Sequence, residues 1–285
     1  MITVSRVADL RAAVARARAA GTRRVGLVPT MGALHEGHRS LLDVVRGAGR
    51  ADFAVVSVFV NPTQFGPNED FSAYPRTPDA DAALVAGAGA DVLWMPDAAD
   101  LYPPGAQTFV EVTEVTKGLC GARRPGHFRG VATVVAKLFA AAQPDVAVFG
   151  EKDFQQLQTL RRMTQDLLLP VEIVGAPTVR EPDGLALSSR NRYLDAGDRV
   201  RALGLSRALL ALQAHRAAGE TRVAALLEAG RAVLAEAGVD RVDYLEVVDA
   251  ETLVPLDAVG PAAAPARALV AAFVGRARLI DNMPL

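Results

Sequence analysis

The 285 residues carry 31 basic and 32 acidic side chains, a net charge of −1, with 51% apolar and 22% charged residues. This balance argues against nucleic-acid binding through broad electrostatics, and the composition is that of an ordinary globular protein. The single Cys120 excludes an internal disulfide and fits a reducing compartment; with no apolar signal core at the N-terminus and no membrane-length apolar run, the expected location is the cytoplasm.

The first clear strand is Arg24–Val28, which Pro29 is expected to close. Met31-Gly32-Ala33-Leu34-His35-Glu36-Gly37-His38 follows, and Ser40–Val45 then has helical period, placing His35 and His38 three apart on the first turn of a helix. That turn offers unpaired N–H groups and the positive end of the helix dipole to a phosphate. Two imidazoles there can donate hydrogen bonds to phosphoryl oxygens as charge builds, and Gly37 leaves room for a flat base against the helix backbone. Zinc helices of the His-Glu-x-x-His type need a spacing of four and a further ligand, so no metal site is assigned.

Phe53–Val60 reads as a strand buried on both faces. Asn61-Pro62-Thr63-Gln64 follows it, and its uncharged donors and acceptors suit a hydroxylated small molecule. Asn-Pro as a turn initiator accounts for Asn61 but not for Gln64. A helix is predicted over 79–87, with Asp79 and Asp81 as its acidic first turn and Mg²⁺ assistance as the alternative. Asp91–Met95 is a short strand with Trp94 in the core. The basic Arg123–Gly130 segment precedes a helix at 130–142 and is either a mobile loop or a subunit contact, with no catalytic role assigned.

Strand Asp145–Phe149 leads into Gly150-Glu151-Lys152-Asp153 and a helix over 153–167. Lys152, one of only three lysines, stands where the helix dipole disfavours a cation, which calls for an anion to meet it. Gln156 lies one turn on. With a further strand at Val171–Val174, the alternation predicts a doubly wound, Rossmann-like parallel sheet over residues 1–177. Helices at 196–217 and 219–237, then antiparallel strands at 242–248 and 268–274 joined across 260–266, predict a smaller α+β domain over 178–285. At the junction, Leu187-Ser188-Ser189-Arg190 offers two hydroxyls and a guanidinium, an oxyanion clamp placed as a closing lid.

Taken in order, Pro29–His38, Val60–Phe65, Tyr74–Thr77, Arg124–Phe128, Phe149–Asp153 and Ser188–Leu194 resemble the pantothenate synthetase (pantoate–β-alanine ligase) family of the nucleotidyltransferase superfamily, nearly end to end. The resemblance implies a two-step reaction in which pantoate attacks the α-phosphate of ATP, giving pantoyl adenylate and pyrophosphate, and β-alanine then displaces AMP. It implies that Met31 to His38, Gly150 to Asp153, Val179 and Leu187 to Arg190 line the ATP site. His38, His35, Lys152, Ser188, Ser189 and Arg190 would act on the phosphates, with His38 as proton donor, while Gln64, Gln156 and Asn61 would hold pantoate. Mg²⁺ is expected to arrive with ATP, and a homodimer is the family expectation. Leu187 stands where many relatives carry Met. Ala80 stands where some carry an Asp near Mg²⁺, which weakens the metal reading of this segment.

The rival enzyme is a nucleotidylyltransferase acting on a phosphorylated precursor, which needs cations for the acceptor phosphate where this chain has Gln64 and Gln156. The length, the neutral charge and the lack of an anticodon-binding module disfavour a tRNA synthetase. A non-catalytic nucleotide sensor on the same fold is disfavoured by His35, His38 and Lys152 together.

Overall fold

The computed structural model describes residues 1–67, 69, 71–260 and 265–285, so most of the expected 260–266 connection lies outside the described residues. In chain order the elements are β1 (Ile2–Val4), α1 (Val7–Ala19), β2 (Val25–Thr30), α2 (Glu36–Arg46), β3 (Phe53–Val58), α3 (Pro78–Gly87), β4 (Val92–Trp94) and α4 (Ala98–Leu101). Then come α5 (Leu119–Arg123), α6 (His127–Ala142), β5 (Val146–Gly150), α7 (Phe154–Asp166), β6 (Glu172–Ala176), α8 (Ala196–Ala217), α9 (Val223–Glu236), β7 (Arg241–Asp249), β8 (Ala266–Val274) and β9 (Ala277–Pro284).

Among the described residues, six strands form one parallel sheet in the order β1-β4-β3-β2-β5-β6. Val55, Val56, Leu93, Trp94, Val146 and Val148 are fully buried, as strands covered on both faces require. From β2 the chain winds outward through β3 and β4; from β5 it winds the other way to β6. The order therefore reverses between β2 and β5, and ligands of such sheets bind at the carboxyl ends of strands at that point. Two segments leave there: Met31–His38 after β2, and Gly150–Asp153 at the end of β5.

Pro29 does not end its strand. It pairs with Ser57, and β2 continues to Thr30. The pairing of β2 with β5 covers only Gly26 and Leu27, so Pro29 lies where β2 has parted from that neighbour and its missing N–H breaks no ladder.

Contacts within the chain define two compact units. The first holds Met1–Thr113, Arg124–Glu151 and Thr159–Pro177; the second holds Glu114–Arg123, Lys152–Gln158 and Thr178–Leu285. A single cut at residue 178 does not describe this partition. Gln155 is one reason: buried, it accepts from the Cys120 N–H at 2.9 Å and donates to the carbonyls of Val115 and Gly118 at 3.0 and 2.9 Å.

The second unit contains the antiparallel sheet β7-β8-β9, with α8 and α9 supplying much of its core through Leu205, Leu209, Leu212 and Leu226. Asp195 caps α8 by accepting the Asp198 N–H at 2.7 Å. β9, which the hydrophobic pattern does not mark, completes this sheet. No helix among the described residues is long and apolar enough to cross a membrane.

Candidate functional site

In the first unit, His35 is the N-cap of α2 and His38 stands three residues into it. Nδ1 of His35 accepts the Gly37 N–H at 3.2 Å, and Nδ1 of His38 accepts the His35 N–H at 3.3 Å, a reciprocal capping box. The rings lie 4.2 Å apart between centroids, tilted by 47°. With both Nδ1 atoms acting as acceptors, a neutral ring carries its proton on Nε2, so each imidazole has its N–H donor on the outer nitrogen. The helix start thus uses the inner nitrogen of each histidine to close its own backbone and assigns the outer nitrogen the proton.

The loop before this pair is anchored by Asp81. Its carboxylate accepts the N–H groups of Ala33 and Leu34 at 3.1 and 2.8 Å and the Thr77 hydroxyl at 3.1 Å, and the residue is only 2% exposed. Asp81 does lie in the first turn of α3, as expected, but it serves the β2–α2 loop rather than the helix dipole. Both its oxygens are committed to N–H and O–H donors, an arrangement unlike a metal ligand's. Asp79 of the same turn is exposed.

Asn61 and Gln64 follow β3, flanking and ending a short 3₁₀ turn at Pro62–Gln64. Asn61 is 1% exposed. Its Nδ2 donates to Gln64 Oε1 at 3.0 Å and to the Gly130 carbonyl at 3.2 Å, while its Oδ1 accepts from Thr63 Oγ1 and the Tyr102 hydroxyl, each at 2.9 Å. The geometry therefore gives Asn61 the work of orienting Gln64. Gln64 Nε2 donates to the Met31 sulfur at 3.1 Å, which brings the turn after β3 against the loop after β2.

The basic segment before α6, expected as a mobile loop or a subunit contact, buttresses the same turn. Arg124 forms a two-pronged pair with Glu69 at 2.6 and 2.5 Å and donates to the His127 Nε2 at 3.0 Å. Because a guanidinium can only donate, His127 accepts there, and its Nδ1–H donates to the Gln64 carbonyl at 2.9 Å. Burial works to raise the Glu69 carboxyl, and the paired Arg124 outweighs it, so this acid lies below its ordinary range. α6 also comes close at Gly130, where a Cβ would lie 2.6 Å from the Thr63 carbonyl carbon and 2.7 Å from the Gln64 amide nitrogen. Gly130→Ala must push the turn away and is expected to cost about 1–3 kcal/mol of stability. A denaturant midpoint that does not move would contradict this packing.

Gly150 and Glu151 belong to the first unit, and the second holds the remaining sequence candidates. Lys152 lies in a 3₁₀ turn at Glu151–Asp153, its side chain 20% exposed and its Nζ 3.8 Å from Asp153 Oδ2. Gln156 is half-buried in the first turn of α7. Val179 and Leu187 are joined by the Leu187 N–H donating to the Val179 carbonyl at 2.9 Å, across a tight hairpin that Arg180 and Ala186 also bridge. Ser188 caps the 3₁₀ helix Ser189–Tyr193, its Oγ accepting the Arg190 N–H at 3.2 Å. Arg199 grips Glu181 and Asp183 at the turn of the hairpin, each at 2.6 Å, and this pairing holds the Glu181 carboxyl low.

Two residues that the sequence reading passed over tie these segments together. Asp281 of β9, 3% exposed at its side chain, pairs with Arg180 through contacts of 2.7 and 2.9 Å, while Asn282 Nδ2 donates to the Lys152 carbonyl at 2.9 Å. β9 thereby holds the Lys152 turn and the Val179–Leu187 hairpin by adjacent side chains. A polar Asp-Asn pair inside a C-terminal apolar run is the one local signal that could have marked them.

Comparison with known proteins identifies the family. The family model described as pantoate-beta-alanine ligase matches residues 2–284. The pantothenate synthetase of Myxococcus xanthus is 57% identical over 280 residues, covering 98% of this chain and 94% of that protein. The crystal structure of pantothenate synthetase from Thermus thermophilus matches with a TM-score of 0.93 at 51% identity, covering 99% of each chain. That of the pantoate-beta-alanine ligase from Francisella tularensis, complexed with beta-gamma ATP and beta-alanine, matches with a TM-score of 0.80 at 32% identity over 100% of this chain and 97% of that one. On the full-length family match and these identities, the chain belongs to the pantoate-beta-alanine ligase family of enzymes.

Proposed function

We propose that this enzyme condenses (R)-pantoate with β-alanine through a pantoyl-adenylate intermediate. In the first step a pantoate carboxylate oxygen attacks the α-phosphorus of ATP, the bond to the bridging oxygen of the β-phosphate breaks, and pyrophosphate leaves. In the second, the β-alanine amine attacks the acyl carbon, AMP departs with the acyl oxygen, and the amine proton passes to solvent.

The observation that carries this reading is the capping box of His35 and His38, which assigns an Nε2–H donor to each ring at a helix N-terminus. Donors held in place before reaction are what charge build-up on the α-phosphate and departing pyrophosphate requires. Met31 to His38 would receive the nucleotide, with Gly150 to Asp153, Val179 and Leu187 to Arg190 contributing its remaining contacts. Lys152, Ser188, Ser189 and Arg190 add cationic and hydroxyl donors for phosphate. Gln64, oriented by Asn61, and Gln156 would take the pantoate hydroxyls and carboxylate. The bound nucleotide and β-alanine in the Francisella tularensis relative support the same substrates here. Mg²⁺ is assigned to the ATP phosphates and water, since Asp81 is occupied with backbone N–H groups. The enzyme is read as a cytoplasmic homodimer.

Pyrophosphate release from Mg-ATP and pantoate tests the route. One pyrophosphate per active site without β-alanine, becoming continuous turnover with AMP when the amine is added, is the expected result. ATP binding without pantoate-dependent release would overturn it and favour the nucleotidylyltransferase alternative.

A further inference from the structure

The β2–α2 loop holds a conformation that its own sequence resists. Gly32 has φ 85° and Ala33 φ 51°, both in the left-handed region, which an alanine enters only at a cost. A Cβ at Gly32 would lie 3.0 Å from Asp81 Oδ2 and 3.1 Å from Val58 Cγ1, so this position is closed to other residues by both its backbone and its surroundings. Ala33 and Leu34, both turned toward Asp81, donate their N–H groups to its two oxygens at 3.1 and 2.8 Å. Thr77 fixes the carboxylate from the other side through its hydroxyl at 3.1 Å.

We infer that Asp81 is a positioning residue: its buried carboxylate holds Gly32–Leu34 in the left-handed bend that aims His35 and His38, and it does not serve as a ligand for Mg²⁺. This rests on the reading of Met31–His38 as the nucleotide loop. A carboxylate suits the task because each oxygen accepts and neither donates, so it can meet two N–H groups pointing the same way. An amide cannot, since one of its ends would present a donor to a donor. The left-handed alanine is then sustained by the brace, as strained backbone at functional sites generally is by its surroundings.

The test is Asp81→Asn, with Ala33→Gly as a second-site change. Hydrogen exchange of the peptide spanning 31–38, measured without nucleotide, is expected to quicken in Asp81→Asn. The KM for Mg-ATP is expected to rise about 10- to 100-fold, the range for losing a hydrogen bond to a charged group, while the KM for β-alanine stays put. Adding Ala33→Gly should recover part of the loss, because glycine adopts the bend without help. Thr77→Val, which removes only the hydroxyl that orients the carboxylate, should give the same changes in smaller measure and serves if Asp81→Asn does not fold. Unchanged exchange and an ATP KM within twofold of wild type would overturn the inference. So would a defect that saturating Mg²⁺ erases and Ala33→Gly does not, which would make Asp81 a metal ligand. If Mg-ATP fails to protect the wild-type 31–38 peptide, the nucleotide-loop reading falls instead, while the exchange difference between wild type and Asp81→Asn still decides the brace.

Discussion

Replacing His38 by alanine is expected to slow adenylate formation by about 100- to 1,000-fold, the usual cost of one donor in a preorganised oxyanion site. Stability should fall much less, by about 1 kcal/mol, because the same change removes the Nδ1 atom that accepts the His35 N–H at 3.3 Å. The two jobs of the ring can be separated. In His38→Asn the side-chain oxygen stands near the place of Nδ1, so the cap survives while the outer donor is lost. In His38→Gln the side-chain nitrogen reaches toward the place of Nε2, so a donor survives and the cap is weakened. Asparagine should therefore keep the melting temperature and lose the rate, and glutamine should do the reverse in part. Single-turnover pyrophosphate release read beside thermal unfolding decides this. A folded His38→Asn enzyme with near-normal turnover would remove His38 from the chemistry.

Lys152→Ala is expected to have an effect of similar size, about 100- to 1,000-fold on the same step. The backbone of Lys152 is held by Asn282, and its ammonium stands 3.8 Å from the Asp153 carboxylate. The contact is too long for a tight ion pair, and surface pairs contribute little to stability. The expected loss therefore falls on the rate and on the KM for ATP, with unfolding almost unchanged. Lys152→Arg should restore only part, because a planar guanidinium fork does not reproduce a compact point charge. Activity within tenfold of wild type in Lys152→Ala would assign the phosphate charge to Arg190 and the histidines instead.

Much of the fold is legible in the chain because its main elements carry local signals. The helix at 196–217 is bounded by a capping Asp195 and a following Gly219, and β3 is an unbroken apolar run. The histidine pair is legible for the same reason: spacing and helix start lie within one turn. What escapes is decided by distant partners. Asp81 looks like any acid in a first turn, and its true partners, Ala33 and Leu34, lie 48 and 47 residues away. Asn61 reads as a turn initiator, and its bonds to the Gly130 carbonyl and the Tyr102 hydroxyl, 69 and 41 residues away, are not written in the local sequence. α1 is obscured by alanine and arginine, which blur its buried stripe of Leu10, Ala13 and Val14, and β1 is only three residues long. β9 mixes Arg278, Asp281 and Asn282 into its apolar run, so its strand character emerges only against β8.

The place of Asp281 and Asn282, far beyond Pro177 in the sequence, also sets an order of events during synthesis. Domains generally form from the N-terminus as the chain emerges, and the first unit, with its histidine pair, is complete in sequence by Pro177. The side chains that anchor the Lys152 turn and the Val179–Leu187 hairpin are added only after it. A nascent chain can therefore build its parallel sheet long before it can fasten these two segments. A ribosome stalled before Asp281 would leave the first unit complete in sequence and the Lys152 turn without its Asn282 clasp.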